Sequence, residues 1–284
     1  VTERPELADL HCHFVPDVDD GAATVEQALH YLREGLDEGV TRVAATPHLP
    51  ASRASSPLRV RIEENFRELE EAAAAELPEL SLTLAFEIRL DGPELDPGDD
   101  GLCLGPAGHV LVEFDRFQVP ADPMGPLAPV LEAERIPVLA HPERYRGAGD
   151  AAEWVDSLRE AGVRTCLNAG SLAGRYGQRA ERLGKRLLAR GQADLLASDH
   201  HARPDRAYSL GSAWELLAEW DQEEAGRRML SENPVAVLEG RELAPAPRVS
   251  APEPAESPSA GPRDSAFGGW TFGASGREDG RGSG

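Results

Sequence analysis

The sequence predicts an α/β fold: a parallel (β/α)7 barrel, TIM-like but with one βα unit fewer than the common eight. Short apolar runs alternate with amphipathic helical stretches, the pattern of βα units around a parallel sheet. Seven such runs occur, ending near Leu10, Thr46, Phe86, Val112, Ala140, Leu167 and Ala197. The 284 residues, 40% of them hydrophobic, match a single barrel of this kind with a sizeable core.

Between the first two runs, Thr24 and Gln27 form a capping-box pattern and Gly39 stands as a stop, so a helix is expected over 24–38. Asp150 is expected to cap a second helix that runs to Ala161 and stops at Gly162. A third is expected over roughly Arg175 to Ala189, ended by Gly191. Composition changes near residue 244. From Ala244 to Gly284 the chain is rich in Pro, Ala, Ser and Gly and has too few large aliphatic residues to offset chain ordering. The expected organisation is a barrel domain over 1–243 and a disordered tail over 244–284, with Trp270 and Phe272 as stray aromatics in it.

A net charge of −21 argues against a nucleic-acid partner, because backbone phosphates call for clustered Lys and Arg. Cys12, Cys103 and Cys166 are far apart and form no CxxC pair, so neither a disulfide framework nor a zinc knuckle is indicated. No apolar run long enough to span a bilayer occurs, and no signal-like segment opens the chain, so a cytoplasmic protein without membrane insertion is expected.

The informative feature is where His, Asp and Glu fall. His11 and His13 follow the first run, His48 the second, Glu87 the third, Glu113 the fourth, His141 the fifth, and Asp199 with His201 the seventh. In a parallel barrel the strand C-termini converge on one face, so these eight residues become neighbours. A single His or acid at a strand end is usually a hydrogen-bonded or solvated loop residue. Repetition over six of seven runs reverses that, because packing gives apolar strands no reason to end this way. The mixture of imidazole and carboxylate suits Zn, Mn or Fe. Eight candidate ligands exceed one tetrahedral shell, so two or three divalent ions are expected.

The run FVPDVDDG adds Asp17, Asp19 and Asp20. Asp20 is the best candidate to orient an attacking water or complete a metal's shell; Asp17 and Asp19 read equally well as turn residues. Arg144, in HPERY, and Arg203, two residues after His201, would stand at the same rim and offer planar forks matched to phosphate. Asn168, at the sixth strand end, could donate to a substrate or satisfy a loop. Clustered divalent ions activate water and clamp phosphoryl oxygens. A cysteine-based phosphatase is excluded, because the positions six after each cysteine hold Val18, His109 and Leu172 instead of Arg. No GxxxxGK[ST] phosphate loop and no GxSxG elbow occurs.

The segments ADLHCHFVPDVDDG, VAATPHLP, AFEI, VLVEF, VLAHPERY and LLASDHH, with ARP after the last, run in order from about residue 8. Here the chain resembles the polymerase-and-histidinol-phosphatase (PHP) superfamily. Within it, the DVDDG and HxERY elements are similar to those of the capsule-biosynthesis branch, manganese-dependent bacterial protein-tyrosine phosphatases. Cys12 departs from the small hydroxyl residue common at its position, and the segment from His201 to Arg203 is shorter than the family's. The resemblance implies a PHP-fold barrel and a trinuclear site of His11, His13, His48, Glu87, Glu113, His141, Asp199 and His201. Manganese is then the first choice of metal, with Fe or Zn as alternatives, and Arg144 and Arg203 are the phosphate contacts. It further implies dephosphorylation of phosphotyrosine on a bacterial tyrosine autokinase that controls capsular or exopolysaccharide synthesis. The alternatives are a small-molecule phosphatase with a histidinol-phosphate-like substrate, and a non-enzymatic scaffold, which would have no use for eight ligands.

Overall fold

The structure is a computed structural model, and it describes residues 3–147, 152–203 and 207–252. Among the described residues, nine parallel strands occupy seven barrel positions. They are β1 (Leu7–Cys12), β2 (Val40–Ala45), β3 (His48–Pro50), β4 (Ser81–Leu84), β5 (Glu87–Leu90), β6 (His109–Phe114), β7 (Ile136–Ala140), β8 (Arg164–Asn168) and β9 (Leu195–Ala197). One sheet has the order β1-β2-β4 and the other β3-β5-β6-β7-β8-β9. β2 and β3 are one barrel strand interrupted at Pro47, and β4 and β5 are another interrupted at Ala85 and Phe86. Hydrogen bonds from Ala85 N to Ala45 O and from Glu87 N to Pro47 O carry the pairing across both breaks. The ring closes between the last strand and the first, where Asp199 N donates to His11 O and His13 N to His200 O, each at 2.8 Å. The seven-position parallel barrel is therefore as expected, although the second and third strands continue past the expected ends at Thr46 and Phe86.

The helices are α1 (Val25–Asp37), α2 (Pro57–Glu76), α3 (Ala128–Glu132), α4 (Glu153–Glu160), α5 (Ala169–Leu172), α6 (Gln178–Arg190), α7 (Leu210–Glu219), α8 (Glu223–Arg227) and α9 (Asn233–Glu239). α1 begins with a variant of the expected capping box: Thr24 Oγ1 accepts from Gln27 N, while Gln27 Oε1 accepts from Ala23 N, one residue before the cap. Its buried stripe, Ala28, Leu29, Tyr31, Leu32 and Gly35, follows helical spacing, and Gly39 leaves it at φ 85°. α4 starts at Glu153 after Ala152; the expected cap, Asp150, lies outside the described residues. α6 starts at Gln178 rather than Arg175, because residues 173–177 turn through Gly174 and Gly177, both at positive φ.

One buried cluster draws Leu10, Ala44, Ala85, Leu111, Val138, Ala140, Cys166, Leu195 and Ala197 from all seven strand positions, so it fills the barrel interior. Small side chains suit the narrow bore of a seven-position ring. Leu104, Val237 and Leu243 join this cluster from outside the strands. Cys12 and Cys166 are fully buried, and the Cys12 thiol donates to Ala44 O. Behind the β1–β9 seam, buried Asp9 accepts from Ser198 N, Ser198 Oγ and Tyr208 Oη, tying first strand to last.

The segment 244–252 departs from the expected tail. Val249 is buried and its N–H donates to Leu188 O, while Ala244 exchanges hydrogen bonds with the Asn233 side chain. A single apolar anchor and paired backbone hold what composition alone assigns to disorder. The rest of the expected tail, 253–284, lies outside the described residues, as do Trp270 and Phe272. Among the described residues, no helix is long and apolar enough to cross a membrane.

Candidate metal centre

All eight residues expected as ligands reach the carboxyl end of the barrel. Strand register does much of this, since His48 pairs directly with Glu87, and the next strand brings Glu113 alongside. His11, His13, Glu87, Glu113, His141 and Asp199 are buried, while His48 and His201 are partly open. His141 and Asp199 take left-handed backbone, φ 38° and 50°. For non-glycine residues that costs about 1 kcal/mol each. Among the described residues, eight non-glycine residues take positive φ, and six of them, Asp17, Arg116, Phe117, His141, Asp199 and Ala202, stand in segments that follow the carboxyl ends of barrel strands. Strain is concentrated where geometry matters most.

Three overlapping groups have ligand atoms all within 4.8 Å of one another: His11, His13, Glu87 and Asp199; His48, Glu87 and Glu113; and His13, Asp20, His48 and His201. His141 joins through Nε2, 2.7 Å from Glu87 Oε1. Glu87 is the hub. Its Oε2 has His48 Nδ1 at 3.0 Å, His11 Nε2 at 3.2 Å and His13 Nε2 at 3.4 Å, yet it accepts no hydrogen bond. Asp20 Oδ1 and His48 Nδ1 are likewise buried without a hydrogen-bond partner. These three atoms thus aim at shared space without a hydrogen bond to one another. Unsatisfied buried atoms are costly, and a cation in that space satisfies several at once. The donor set therefore fits two or three divalent ions.

The electrostatics agree. Burial disfavours the charged form of each group, yet the His11 imidazole is raised, those of His13 and His48 are raised well above their usual range, and the Glu87 and Asp199 carboxyls are held well below theirs. For His13 the opposing pull comes from Asp19, then Asp199 and Glu87, and it lifts the imidazole well above its usual range. Glu87 and Glu113 lift His48 in the same way, while His11 and His48 hold the Glu87 carboxyl well below the carboxylate range. His201 goes the other way, lowered by burial and by the neighbouring His13. Five carboxylates here face only two arginines when the imidazoles are neutral, so the mouth is built to attract cations.

The supporting residues divide the work. Asp199 Oδ1 faces His11 at 3.4 Å and His13 at 3.5 Å, while Asn168 Nδ2 donates to its Oδ2 at 2.6 Å and Arg144 Nη1 donates to the same oxygen. Asn168 is thus an orienting partner of Asp199. Arg203, which is exposed, donates to Asp20 Oδ2 at 2.8 Å. Asp20 Oδ1 lies 3.2 Å from His201 Nε2. Asp17 points away, paired with Arg61.

Asp19 is more than a turn residue. It accepts from His13 Nδ1 at 2.7 Å and from His48 N at 3.0 Å, fixing one imidazole and the strand that carries the other. Nothing among three clustered acids singles it out; the tight turn at Gly21, where a Cβ would strike His13 O, does so in space. His200 faces outward, stacked on Tyr208, with its Nδ1 accepting from Ala202 N.

The chain was compared with known proteins. The family model for capsular polysaccharide synthesis, CpsB/CapC, matches residues 7–239. The tyrosine-protein phosphatase YwqE of Bacillus subtilis (strain 168) is 29% identical over 240 residues, 84% of this chain and 91% of that protein. A putative tyrosine-protein phosphatase CapC of Staphylococcus aureus is 27% identical over 207 residues, 72% of this chain and 80% of that protein. Crystal structures of YwqE and of CpsB from Streptococcus pneumoniae, described as unique metal-dependent tyrosine phosphatases, include a chain that superposes with TM-score 0.73. It is 25% identical, over 87% of this chain and 100% of that one. The lactonase Lmo2620 of Listeria monocytogenes shares the fold alone, at TM-score 0.52 and 9% identity over 84% of this chain and 95% of that one. With the match spanning nearly the whole barrel, this chain belongs to the CpsB/CapC capsular polysaccharide synthesis family.

Proposed function

We infer that the protein is a metal-dependent phosphatase that removes phosphate from tyrosine side chains, acting on a bacterial tyrosine autokinase in capsular or exopolysaccharide synthesis. The observation that carries the chemistry is the convergence of buried imidazole nitrogens of His11, His13 and His48 on the Glu87 Oε2 atom, which accepts no hydrogen bond. The substrate class follows from the tyrosine phosphatases to which the chain is similar.

We assign His11, His13, His48, Glu87, Glu113, His141, Asp199 and His201 as the residues that would hold the ions, with manganese as the first choice of metal. Bound divalent ions would supply a water acidic enough to attack at neutral pH, and charge to stabilise the phosphoryl oxygens. Asp20, kept ionised by His201 and its neighbours against the effect of burial, presents Oδ1 to orient the attacking water. Arg203 restrains the other oxygen of that carboxylate. Arg144 and Arg203 bind the phosphoryl group through their planar forks. Asp19 holds His13 in one orientation, so that Nε2 faces the centre.

Phosphate release from a phosphotyrosine peptide with added Mn²⁺ is the direct test. Turnover is expected from the wild type and not from His141→Ala. Equal, background-level release from both proteins would reject the function. Turnover confined to a panel of small phosphomonoesters would reject the protein substrate only.

A further inference from the structure

We propose that Phe117 and Tyr176 form an aromatic cradle that fixes the Arg144 guanidinium in the orientation in which it receives the phosphoryl group. The inference rests on Arg144 being a phosphate contact, and it makes Phe117 and Tyr176 positioning residues.

The guanidinium carbon of Arg144 lies 4.7 Å from the centroid of the Phe117 ring and 4.4 Å from that of Tyr176. The rings come from different parts of the chain, one just after β6 and the other between α5 and α6. An unrestrained arginine has many rotamers to lose on binding an anion. Packing its planar head on two rings removes them in advance and leaves the in-plane N–H groups as donors. One of those, on Nη1, already points to Asp199 Oδ2, so the cradle aims the fork at the centre.

The backbone shows that the Phe117 ring is held in place. Arg116 and Phe117 stand at φ 56° and 52°, two successive side-chain-bearing residues in a conformation that favours glycine. What keeps them there is a zipper to the Arg144 segment: Arg146 N donates to Phe117 O at 2.8 Å and Val119 N to Arg146 O at 2.9 Å. The turn that carries the ring and the turn that carries the arginine are therefore joined through their main chains. The Phe117 ring centroid also lies 5.1 Å from that of His141, which links the cradle to the ligand set.

The test uses the full chain loaded with Mn²⁺ and follows inorganic phosphate binding by calorimetry, metal content by elemental analysis, and KM and kcat on a phosphotyrosine peptide. Phe117→Leu and Tyr176→Leu are each expected to weaken phosphate binding and raise KM by about fivefold, the scale of one cation–π contact, with metal content unchanged. Phe117→Tyr and Tyr176→Phe, which keep the rings, are expected to stay within about twofold of the parent. In an Arg144→Ala background the leucine substitutions should cost nothing further, since the cradle acts only through that residue. The same losses persisting in that background, or parental phosphate affinity in both leucine variants, would overturn the inference. If Arg144→Ala itself keeps parental affinity in an active enzyme, Arg144 is not a phosphate contact and the cradle has no such role, while the phosphatase reading stands. Should the leucine variants lose metal, Arg144→Lys keeps the charge without the planar fork. It is expected to bind phosphate about fivefold more weakly, and parental affinity there would also reject the cradle.

Discussion

His13 at the carboxyl end of β1 and His109 at the amino end of β6 are both buried, yet their imidazoles are driven in opposite directions. Burial and the nearby Arg164 push His109 down to about 4, with only Asp194 pulling the other way. At the mouth, Asp19, Asp199 and Glu87 outweigh the same burial and lift His13. One end of the barrel treats an imidazole as apolar filling, and the other surrounds it with negative charge. The difference lies not in depth but in what the strands deliver: Leu104, Val237 and Leu243 join the interior cluster, whereas acids close the top. A site for cations is thus an electrostatic property of one end of an otherwise uniform scaffold.

The sharpest way to break this contrast is to remove the hub. Glu87→Gln should lower phosphotyrosine turnover by about 10³-fold, the scale of losing a key electrostatic group, with metal content falling in parallel. His109→Gln, four residues before Glu113, should leave turnover within about twofold of the parent. Removing the ions by chelation comes next. With metal at roughly a thousand times its dissociation constant, its loss costs about 4 kcal/mol, or on the order of 10 °C in Tm by calorimetry. An unchanged Tm would mean that the mouth is stable without cations.

The lower end gives a pH signature of its own. His109 has a folded pKa below its unfolded value, so folding favours the neutral ring. That stability is complete above about pH 6.5 and is lost as pH falls toward 4, about 3 kcal/mol in all. Urea titrations between pH 7 and 4 should show the difference between wild type and His109→Gln shrinking by that amount as pH falls. A constant difference would show that His109 is not held neutral. The smallest expected effect is at an orienting partner: Asn168→Ala removes one of the two donors to Asp199 Oδ2 and should weaken metal affinity by about tenfold, read by competition with a chelating dye.

The convergence of the candidate ligands was legible in sequence because each closes an apolar run, and a parallel barrel has one place to put such residues. Strand alternation does not account for Asp199 and His201 facing the centre while His200 does not, since β9 ends at Ala197 and Asp199 takes left-handed backbone. The two broken strands were not legible: whether pairing resumes after Pro47 or Phe86 depends on neighbours distant in sequence. Asp19 was ambiguous for a related reason. DVDDG offers interchangeable acids, and only the folded turn places one of them against His13. The cradle of Arg144 left no sequence signal, because it joins residues 117, 144 and 176 through left-handed backbone that no propensity foretells. Val249, a lone aliphatic in a Pro-rich stretch, carried too little weight in composition to mark the segment as packed.

The cysteines inside the barrel wall bear on redox life. Burial, reinforced by the nearby Asp9, raises the Cys12 and Cys166 thiols well above their ordinary range, so neither offers a thiolate to an oxidant. Phosphatases that attack with sulfur are switched off by peroxide, because their nucleophile is also their most oxidisable atom. Here the Cys12 and Cys166 sulfur atoms are packing material, and in the proposed reaction the attack belongs to water. As far as these two thiols are concerned, the protein should keep removing phosphate through an oxidative burst that silences its thiol-dependent counterparts.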